Sequence, residues 1–262
     1  MRPKSCEARC PGCKHRDFEY EASINQKHRF VARCLSEWES VLTPIEGAPL
    51  ALRWGYRRKT LLHLQKVSAR WSLGLMRQDE VISIPECPVQ SPQVNAIGRA
   101  LVAALDEDPI LNAGPWTHAA ISEESLSLVV KSADVDHWAN AVAERLAGRF
   151  GDLSIWINAN PSAGHRVFAS KGWRRVSGSG GGPIGFAQVL PELHNRAMQR
   201  ALEFLEPSPI RSVLDLYSGS GGSAALWMSR GAPVLAVELS GDSVPEFEQR
   251  LGVTCLRGRA SE

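Results

Sequence analysis

The sequence predicts an α/β protein in which an α+β region precedes the start of a parallel βα unit. Two observations support this fold class. Short apolar runs alternate with regularly spaced helical patterns through residues 51–176, and near residue 215 a strand leads through a glycine-rich turn into a helix and a second strand. With 262 residues, 44% of them apolar, the chain is long enough for two domains.

The individual elements follow from the spacing of apolar residues. Residues 20–42 carry apolar side chains at helical spacing, and KTLLHLQKV, RWSLGLM and EVISI are predicted strands separated by short breaks. LSLVV and LSIWI are predicted to be buried strands. Two helices are predicted after Pro92 and after Asp134 and Asp136; their apolar positions are Val94, Ile97, Leu101 and Leu105, and then Trp138, Val142, Leu146 and Phe150.

One low-complexity stretch, SGSGGGPIG, separates the α+β region from the βα unit. Five of its nine residues are glycine, so it is predicted to be a flexible linker. The helix after it, LPELHNRAMQRALEFL, is expected to stop before Pro207. We therefore expect four parts: a cysteine-bearing arm and helix (1–50), an α+β central domain (51–176), the linker (177–185) and the N-terminal part of a βα domain (186–262).

The N-terminal residues and the length of the apolar runs indicate in which cellular compartment the protein is expected. The chain begins MRPKSCEARC, without the apolar stretch of a secretory signal, and no apolar run is long enough to cross a bilayer. We therefore expect a cytoplasmic protein that does not associate with membranes.

The formal net charge of +2 is close to neutral and says nothing about nucleic-acid binding. In a reducing cytosol, clustered cysteines bind metal or do redox chemistry more often than they form disulfides.

The segment CEARCPGC brings three thiols together near the N-terminus, at Cys6, Cys10 and Cys13. Thiolates suit both iron–sulfur clusters and zinc. A fourth thiolate, Cys87 in IPECPVQSP, would complete a cluster with four cysteine ligands. Zinc ranks second, because the nearby histidines would give an irregular spacing and no second C-x2-C pair follows.

The C-x3-C-x2-C triplet is also the signature of radical S-adenosylmethionine enzymes. Those enzymes resemble a partial βα barrel with the triplet after a first strand, whereas only five residues precede Cys6. We therefore rank that interpretation third. The other two cysteines are expected to be buried thiols, because Cys34 lies in a helical pattern and Cys255 in an apolar strand.

The glycine-rich turn belongs to SVLDLYSGSGGSAALWMSRGAPVLAVELS, which predicts a strand (Val213 to Tyr217), a helix (Ser223 to Arg230) and a strand (Val234 to Glu238). An acid at the end of the second strand can accept both ribose hydroxyls, while glycines such as Gly219 let the backbone approach the ligand. The turn lacks the G-x-G-x-x-G of dinucleotide sites. It opens with Asp215, which suits the amino group of an amino-acid-bearing nucleoside better than a pyrophosphate, so S-adenosylmethionine is the predicted ligand.

Two segments combine basic and aromatic residues, RWGYRRK and HRVFASKGWRR. Basic side chains interleaved with flat rings are typical of single-stranded RNA recognition. Taken alone, both segments are better interpreted as solvated strand ends.

Together these motifs resemble the cluster-containing RNA 5-methyluridine methyltransferases, particularly the short branch that acts on large-subunit ribosomal RNA. The resemblance covers nearly the whole chain. The matching features are the four cysteines with Cys87 in a Cys-Pro setting, YRRK (56–59) for a YRNK-like segment, FAQVL (186–190) for FxQVN, and DLYSGSGG (215–222) for DLFCGxGG.

This resemblance implies an incomplete Rossmann-like S-adenosylmethionine methyltransferase domain after the central domain. It implies a 4Fe-4S cluster on the four cysteines and a monomer that acts on RNA, ribosomal rather than transfer RNA. It also implies the site residues: Gln188, Tyr217, Gly222 and Glu238 beside Asp215 and Gly219 for the cofactor, and Arg57, Arg58 and Lys59 for RNA.

The chain departs from the family pattern in three ways. Leu190 replaces an asparagine, and Ser218 replaces the motif cysteine. In the family a cysteine attacks C6 of the uracil and a carboxylate removes the C5 proton. Those residues follow a DPPR-like turn, which the chain does not reach at CLRGRASE. We therefore nominate no catalytic residue, not even Cys255, and expect the chain alone to be inactive. The alternative is a non-catalytic remnant that binds RNA or S-adenosylmethionine.

Overall fold

The computed structural model describes residues 3–133, 135–160, 172–183, 188–205, 212–240 and 243–260. Two compact units are present. The first comprises Met1–Val167 and Arg174–Gly181, and the second comprises Phe168–Trp173 and Gly182–Glu262. The sequence-based division into four parts stays a prediction. Within the described residues, no helix is long and apolar enough to cross a membrane.

The N-terminal and central elements alternate helices and strands. In chain order they are α1 (Tyr20–Cys34), two 3-10 helices (Ser36–Val41 and Leu50–Leu52), β1 (Lys59–Val67), β2 (Arg70–Arg77), β3 (Glu80–Ser83), α2 (Pro92–Glu107), α3 (Pro109–Ala113), β4 (Trp116–Ser122), β5 (Ser125–Val130), α4 (Asp136–Leu146), β6 (Ser154–Ala159) and β7 (Trp173–Ser177). The later elements are α5 (Pro191–Leu205), β8 (Val213–Leu216), α6 (Gly222–Met228), β9 (Val234–Glu238), α7 (Ser243–Leu251) and β10 (Cys255–Arg257).

The larger sheet contains seven strands in the order β3-β2-β1-β4-β5-β6-β7. The pairs from β3 through β5 are antiparallel, whereas β5 and β6 are parallel and α4 connects them. Alternate residues of β1, such as Leu62 and Leu64, lie in one apolar core with residues of α2 such as Leu101 and Leu105. This arrangement is an α+β layer structure of the kind the sequence predicts.

The predicted helix after Pro92 is confirmed as α2. The Ser91 hydroxyl caps it by accepting from the Val94 N–H at 3.3 Å, and proline suits the first turn because it has no N–H to satisfy. All four predicted apolar positions are buried: Val94, Ile97, Leu101 and Leu105.

Three predictions about boundaries and burial need correction. The helix predicted to extend to Phe150 ends at Leu146, because Gly148 adopts a left-handed φ of 75° that breaks the helix. The helical pattern of residues 20–42 gives α1 followed by a 3-10 helix. Cys34 is exposed rather than buried, because α1 buries only Ser23.

The sequence analysis did not predict β4. Its sequence, WTHAAIS, carries two alanines and a histidine where the other predicted strands carry β-branched and leucine residues. Burial on both faces identifies β4 as a central strand, and it pairs with β1 on one side and β5 on the other.

The glycine-rich stretch at 177–185 is described only in part, since residues 184–185 lie outside the described residues. Its first half contacts the end of the larger sheet. The Ser179 N–H donates to Asp152 Oδ1 at 3.0 Å, and the Gly181 carbonyl accepts from Trp156 Nε1 at 3.0 Å. The helix that follows it, α5, ends at Leu205, and the proline at position 207 lies outside the described residues.

The smaller sheet contains three parallel strands in the order β10-β9-β8. One face is covered, since Ala236 and Cys255 are buried with Ala224 of α6 and Phe247 of α7. The opposite face carries Leu214, Leu235 and Leu256, which are 59%, 49% and 49% exposed. Helix α5 buries Leu202 against Trp227. The predicted strand–turn–helix–strand order is confirmed, with β9 at the predicted bounds.

Two histidines lie side by side on the larger sheet. They are on the opposite face from Leu62 and Leu64, which pack with α2. His63 of β1 pairs with His118 of β4, and their ring centroids are 4.4 Å apart. His118 is 9% exposed, and its Nδ1 has no hydrogen-bond partner among the described residues. Burial, together with a smaller contribution from the neighbouring His63, lowers the pKa of His118 from 6.5 to about 4. Burial lowers the pKa of His63 as well.

This pair predicts a loss of stability in mild acid. Below its unfolded-state pKa of 6.5 the unfolded chain binds a proton that folded His118 does not, so the free energy of unfolding falls as the pH drops from 6.5 to about 4. The loss attributable to His118 is at most about 3 kcal/mol. Urea unfolding at pH 7 and pH 4.5 measures it. The variant His118→Phe should reduce the pH dependence, whereas His137→Gln, at an exposed position, should not; equal pH dependence in both variants would contradict the prediction.

Candidate functional site

The turn between β8 and α6 has an unusual backbone conformation. Tyr217 has a φ of 58°, Gly219 of 55° and Gly221 of 85°. A left-handed φ is uncommon for a bulky residue such as tyrosine, and backbone strain of this kind is concentrated at ligand sites. The tyrosine side chain is 78% exposed at the carboxyl end of the sheet. The Tyr217 ring is therefore open to solvent.

Gly221 fits the turn closely against α7. A Cβ at this position would lie 2.5 Å from Phe247 and 2.7 Å from Leu251, and its φ is left-handed. Because Phe247 is fully buried, it has no room to move aside. Helix α7, which the sequence analysis did not predict, thus fixes the position of the turn.

Glu238 ends β9 beside the turn, because β8 and β9 are parallel neighbours and their carboxyl ends meet at the same edge. Its Oε2 accepts from the Gly219 N–H at 2.8 Å, and its Oε1 accepts from the Ser240 N–H at 2.7 Å. A carboxylate oxygen has two acceptor positions. Each oxygen of Glu238 therefore keeps one position for a further donor.

Two serines complete the turn. The Ser223 hydroxyl donates to Asp215 Oδ2 at 2.8 Å, which orients this carboxylate. Ser218 is buried; its N–H donates to the Val237 carbonyl at 3.2 Å, and its hydroxyl lies 3.6 Å from the thiol of Cys255. The sequence analysis did not single out Ser223, since a serine at the start of a helix is common and carries no specific signal.

The structure thus brings five of the six predicted cofactor residues together in one strand–turn–helix–strand unit: Asp215, Tyr217, Gly219, Gly222 and Glu238. The sixth, Gln188, is exposed ahead of α5, and no hydrogen bond among the described residues joins it to the turn. Phe186 of the same motif lies outside the described residues. The cofactor role of all six stays a prediction.

The four predicted ligand cysteines are neighbours in the structure. Although Cys13 is exposed as a residue, partial burial of its thiol raises the thiol's pKa, and the thiols of Cys87, Cys10 and Cys6 raise it further. The thiols of Cys13 and Cys87 also raise the pKa of the Tyr56 hydroxyl, although burial raises it more. An electrostatic effect of this kind requires the groups to be close. The residues from the arm and from the loop after β3 therefore form one group, here called the thiol group.

Contacts with β2 and β3 hold the arm in this position. The Arg9 guanidinium donates to both carboxylate oxygens of Glu80, at 3.2 and 2.8 Å, and Arg77 donates to the Arg9 carbonyl at 3.3 Å. Gly12 is close to Leu75, and its N–H donates to the Cys10 Sγ at 3.4 Å. These contacts bring the C-x3-C-x2-C triplet to the loop that carries Cys87.

The thiols are not arranged as metal ligands in the structure. Among the described residues, no group of three or more His, Cys, Asp or Glu side chains has the geometry to hold a metal ion. None of the six cysteines, all of them described, forms a disulfide. Thiolates are suitable donors for iron–sulfur clusters and zinc, but the described residues do not place three of them around one position. Cys255 is buried, as predicted.

The predicted RNA-binding residues lie where the chain enters β1. The Arg57 N–H donates to the Val89 carbonyl at 2.8 Å, and its own carbonyl accepts from the Ser91 N–H at 3.0 Å. Arg58 is exposed and lies 3.9 Å from Glu123. Lys59 is the first residue of β1. The RNA-binding role of these residues stays a prediction.

The second basic and aromatic segment is described only from position 172 onward. Here Arg174 forms an ion pair with Asp136, and the Arg175 guanidinium lies 4.6 Å from the centroid of the Trp156 ring. Arg166, Phe168 and Lys171 lie outside the described residues. The two described arginines are thus engaged in contacts within the first unit.

No family model matches the chain. Its relatives include the 23S rRNA (uracil(1939)-C(5))-methyltransferase RlmD of Alkalilimnicola ehrlichii, which is 25% identical over 248 residues, 87% of this chain and 54% of the relative. The protein of the same name from Dechloromonas aromatica is 26% identical, over 87% of this chain and 56% of the relative. The one from Pseudomonas entomophila is 27% identical, over 88% of this chain and 53% of the relative. The chain thus spans about half the length of these curated relatives.

The fold is also similar to a solved structure. The crystal structure of the Pyrococcus abyssi tRNA (uracil-54, C5)-methyltransferase in complex with S-adenosyl-L-homocysteine matches with a TM-score of 0.70 at 17% identity, over 97% of this chain and 65% of that chain. This similarity confirms the predicted α/β fold. Sequence and fold together show that the chain resembles the RNA uracil-C5 methyltransferases, as the motifs predicted.

Proposed function

We propose that this chain serves in the transfer of a methyl group from S-adenosylmethionine to C5 of a uridine in RNA. The observation that carries the proposal is the turn after β8, with Glu238 bound to the Gly219 N–H at 2.8 Å and the Tyr217 ring exposed beside it. Relatives that modify 23S rRNA support a ribosomal rather than a transfer RNA substrate. We further propose a cytoplasmic monomer.

The residues around the turn fit the cofactor. The unused acceptor positions of Glu238 suit the two ribose hydroxyls, and Asp215, oriented by Ser223, suits the amino group. Gly219 and Gly222 let the backbone approach the ligand, while Tyr217 offers its exposed ring and Gln188 its amide. When bound, S-adenosylmethionine supplies an electrophilic methyl group.

Methyl transfer to C5 also requires a nucleophile, and here the structure favours a second candidate function. Of the six cysteines in the sequence, Cys255 alone lies beyond residue 87. It is 4% exposed and lies beneath the turn against Ser218, so its thiol cannot reach a uracil ring. We therefore expect the chain alone to bind S-adenosylmethionine or RNA without catalysing transfer, as a binding remnant would.

We also propose a 4Fe-4S cluster on Cys6, Cys10, Cys13 and Cys87. The electrostatic coupling of the Cys13 thiol to the other three supports this ligand set. The cluster would link the arm to the loop after β3 and so stabilise the first unit. Zinc is the alternative ligand of the same thiols. For RNA, the exposed Arg58 and neighbouring Lys59 are proposed to bind phosphates.

The function is tested by incubating the chain with methyl-labelled S-adenosylmethionine and a 23S rRNA transcript, alongside calorimetric titration with S-adenosylmethionine alone. We expect binding of S-adenosylmethionine and no labelled 5-methyluridine, because no cysteine is accessible at the turn. Label in 5-methyluridine would establish the chain as an enzyme and overturn the remnant. Absence of both binding and transfer would contradict methyl transfer and the binding of S-adenosylmethionine alike.

The cofactor site predicts a specific effect of Glu238→Gln. The amide removes the negative charge and places an N–H₂ group where the carboxylate accepts from backbone N–H groups. Because hydrogen bonds to charged groups are worth about 1.5–3 kcal/mol, the affinity for S-adenosylmethionine should fall about 10- to 100-fold in calorimetric titration. The control Glu203→Gln removes an exposed carboxylate of α5 and should bind normally. Equal affinities of the two variants would exclude Glu238 from the site.

The cluster predicts a difference between two cysteines. After anaerobic reconstitution with ferrous iron and sulfide, Cys87→Ser should retain much less iron and sulfide than the unsubstituted chain, because one of four ligands is lost. Cys34→Ser should be unaffected, since Cys34 is exposed on α1. Iron and sulfide analysis with absorption spectroscopy measures the outcome. A cluster equally stable in both variants would remove Cys87 from the ligand set, and zinc without sulfide would replace the cluster with a zinc site.

A further inference from the structure

Helix α1 has two sides of different character. One side carries the apolar residues Ile24 and Val31, which are half-buried. Because the helix has about 3.6 residues per turn, Arg29, Phe30 and Arg33 lie together on the opposite side, and all three are exposed. The Phe30 side chain is 59% exposed. An amphipathic helix normally carries its aromatic residues on the apolar side. Phe30 therefore lies outside the side of α1 that packs on the protein.

The exposed side, here called the α1 basic face, consists of Arg29, Phe30 and Arg33. The Arg33 Cζ lies 5.7 Å from the centroid of the Phe30 ring. Lys27 adds a third positive charge, and residues 22–36 contain no aspartate or glutamate. None of the ion pairs formed within the described part of the chain includes Arg29 or Arg33. The positive charge of this face is therefore not neutralised locally, and it attracts phosphate groups.

The start of α1 is attached to the segment that leads into the predicted RNA-binding residues. The Tyr20 hydroxyl donates to the Ala48 carbonyl at 3.1 Å, and the Arg53 Cζ lies 3.4 Å from the centroid of the Tyr20 ring. Arg53 also donates to the Ala48 carbonyl, at 3.2 Å. The next residue, Trp54, is 48% exposed, and Arg58 follows in the same segment. These contacts hold α1 against the chain shortly before Arg58.

We propose that the α1 basic face binds single-stranded RNA, with phosphates paired to Arg29 and Arg33 and an unpaired base stacked on Phe30. This inference rests on the proposed RNA substrate, and it adds a second contact surface to Arg58 and Lys59. Proteins that bind single strands combine cations for the phosphates with aromatic rings on which bases stack. The positive charge around the exposed ring favours RNA over an apolar protein surface as the partner.

The charge of the face is tested by the salt dependence of RNA binding. The full chain is titrated into a fluorescein-labelled single-stranded RNA of mixed sequence, and fluorescence anisotropy gives the affinity. Each phosphate contact contributes about −0.7 to the slope of log affinity against log salt, so Arg33→Gln should make the slope shallower by about 0.7. The same contact predicts about fivefold weaker binding at about 0.1 M salt. Arg33→Lys retains the charge and should keep the original slope.

The matched control is Arg70→Gln. Arg70 is exposed and pairs with Val67, at the other end of β1 from Lys59. Its loss should leave both the affinity and the salt slope unchanged. An equal loss of affinity in Arg70→Gln and Arg33→Gln would show a general effect of charge and would overturn the assignment to α1.

The ring is tested separately by Phe30→Ala. Loss of one stacked base should weaken RNA binding about 5- to 100-fold and leave the salt slope unchanged, because no phosphate contact is lost. The control Phe204→Ala removes a ring of α5 that is 84% exposed, and it should bind RNA as the unsubstituted chain does. An unchanged affinity in Phe30→Ala would overturn base stacking on this face.

Folding of each variant is monitored by thermal melting with circular dichroism, because a basic residue in the last turn also interacts favourably with the helix carbonyls. Phe30→Ala changes an exposed position, so it keeps the inference testable if Arg33→Gln destabilises α1. If Arg58→Gln weakens binding and the two α1 variants do not, the inference fails and the RNA substrate stands. If the unsubstituted chain does not bind RNA, both fail. A dimer in size-exclusion chromatography that Phe30→Ala dissociates would identify a second copy as the partner and would overturn the inference.

Discussion

The backbone pairing of residues 55–57 with residues 88–91 is the constraint on which the first unit depends most. Its three hydrogen bonds join the entrance of β1 to the loop after β3, so they close a segment that contains the β1–β3 sheet. The same pairing positions Ser91, which caps α2, and α2 supplies much of the apolar core. Cys87 lies immediately before the paired residues. The core and the thiol group therefore share one backbone anchor.

The second unit uses a side chain for the comparable task. The turns that follow two parallel strands are far apart in sequence. Glu238 joins the turn after β8 to the loop after β9, because its carboxylate accepts from the N–H groups of Gly219 and Ser240. Phe247 holds the turn from below, because Gly221 leaves space for its ring. The carboxylate thereby keeps acceptor positions open in a turn that is already formed, which reduces the entropy lost when a ligand binds. The turn geometry thus depends on the same residue that we propose to bind the cofactor.

The sequence was most informative where a pattern is local. Periodicity located α2 and β9 closely, and the turn motif located the residues now found together beside Glu238. The sequence did not predict which residues pair when they are distant in the chain. Nothing in the segment YRRK indicates that its first arginine pairs with residues beyond Cys87, because side-chain surroundings depend on contacts distant in sequence. The exposure of Cys34 was missed for the same reason, since a helical pattern does not reveal whether another element covers the helix.

Cys255 shows why binding and transfer are separate questions in this chain. A nucleophilic thiol needs solvent access and a partner that favours the thiolate. Cys255 instead begins β10 beneath the turn, where Ala236 pairs with it and Ser218 contacts its thiol. The position that makes it a good packing residue for the turn removes it from the solvent-accessible surface. A measured affinity for S-adenosylmethionine would therefore not by itself imply methyl transfer by this chain.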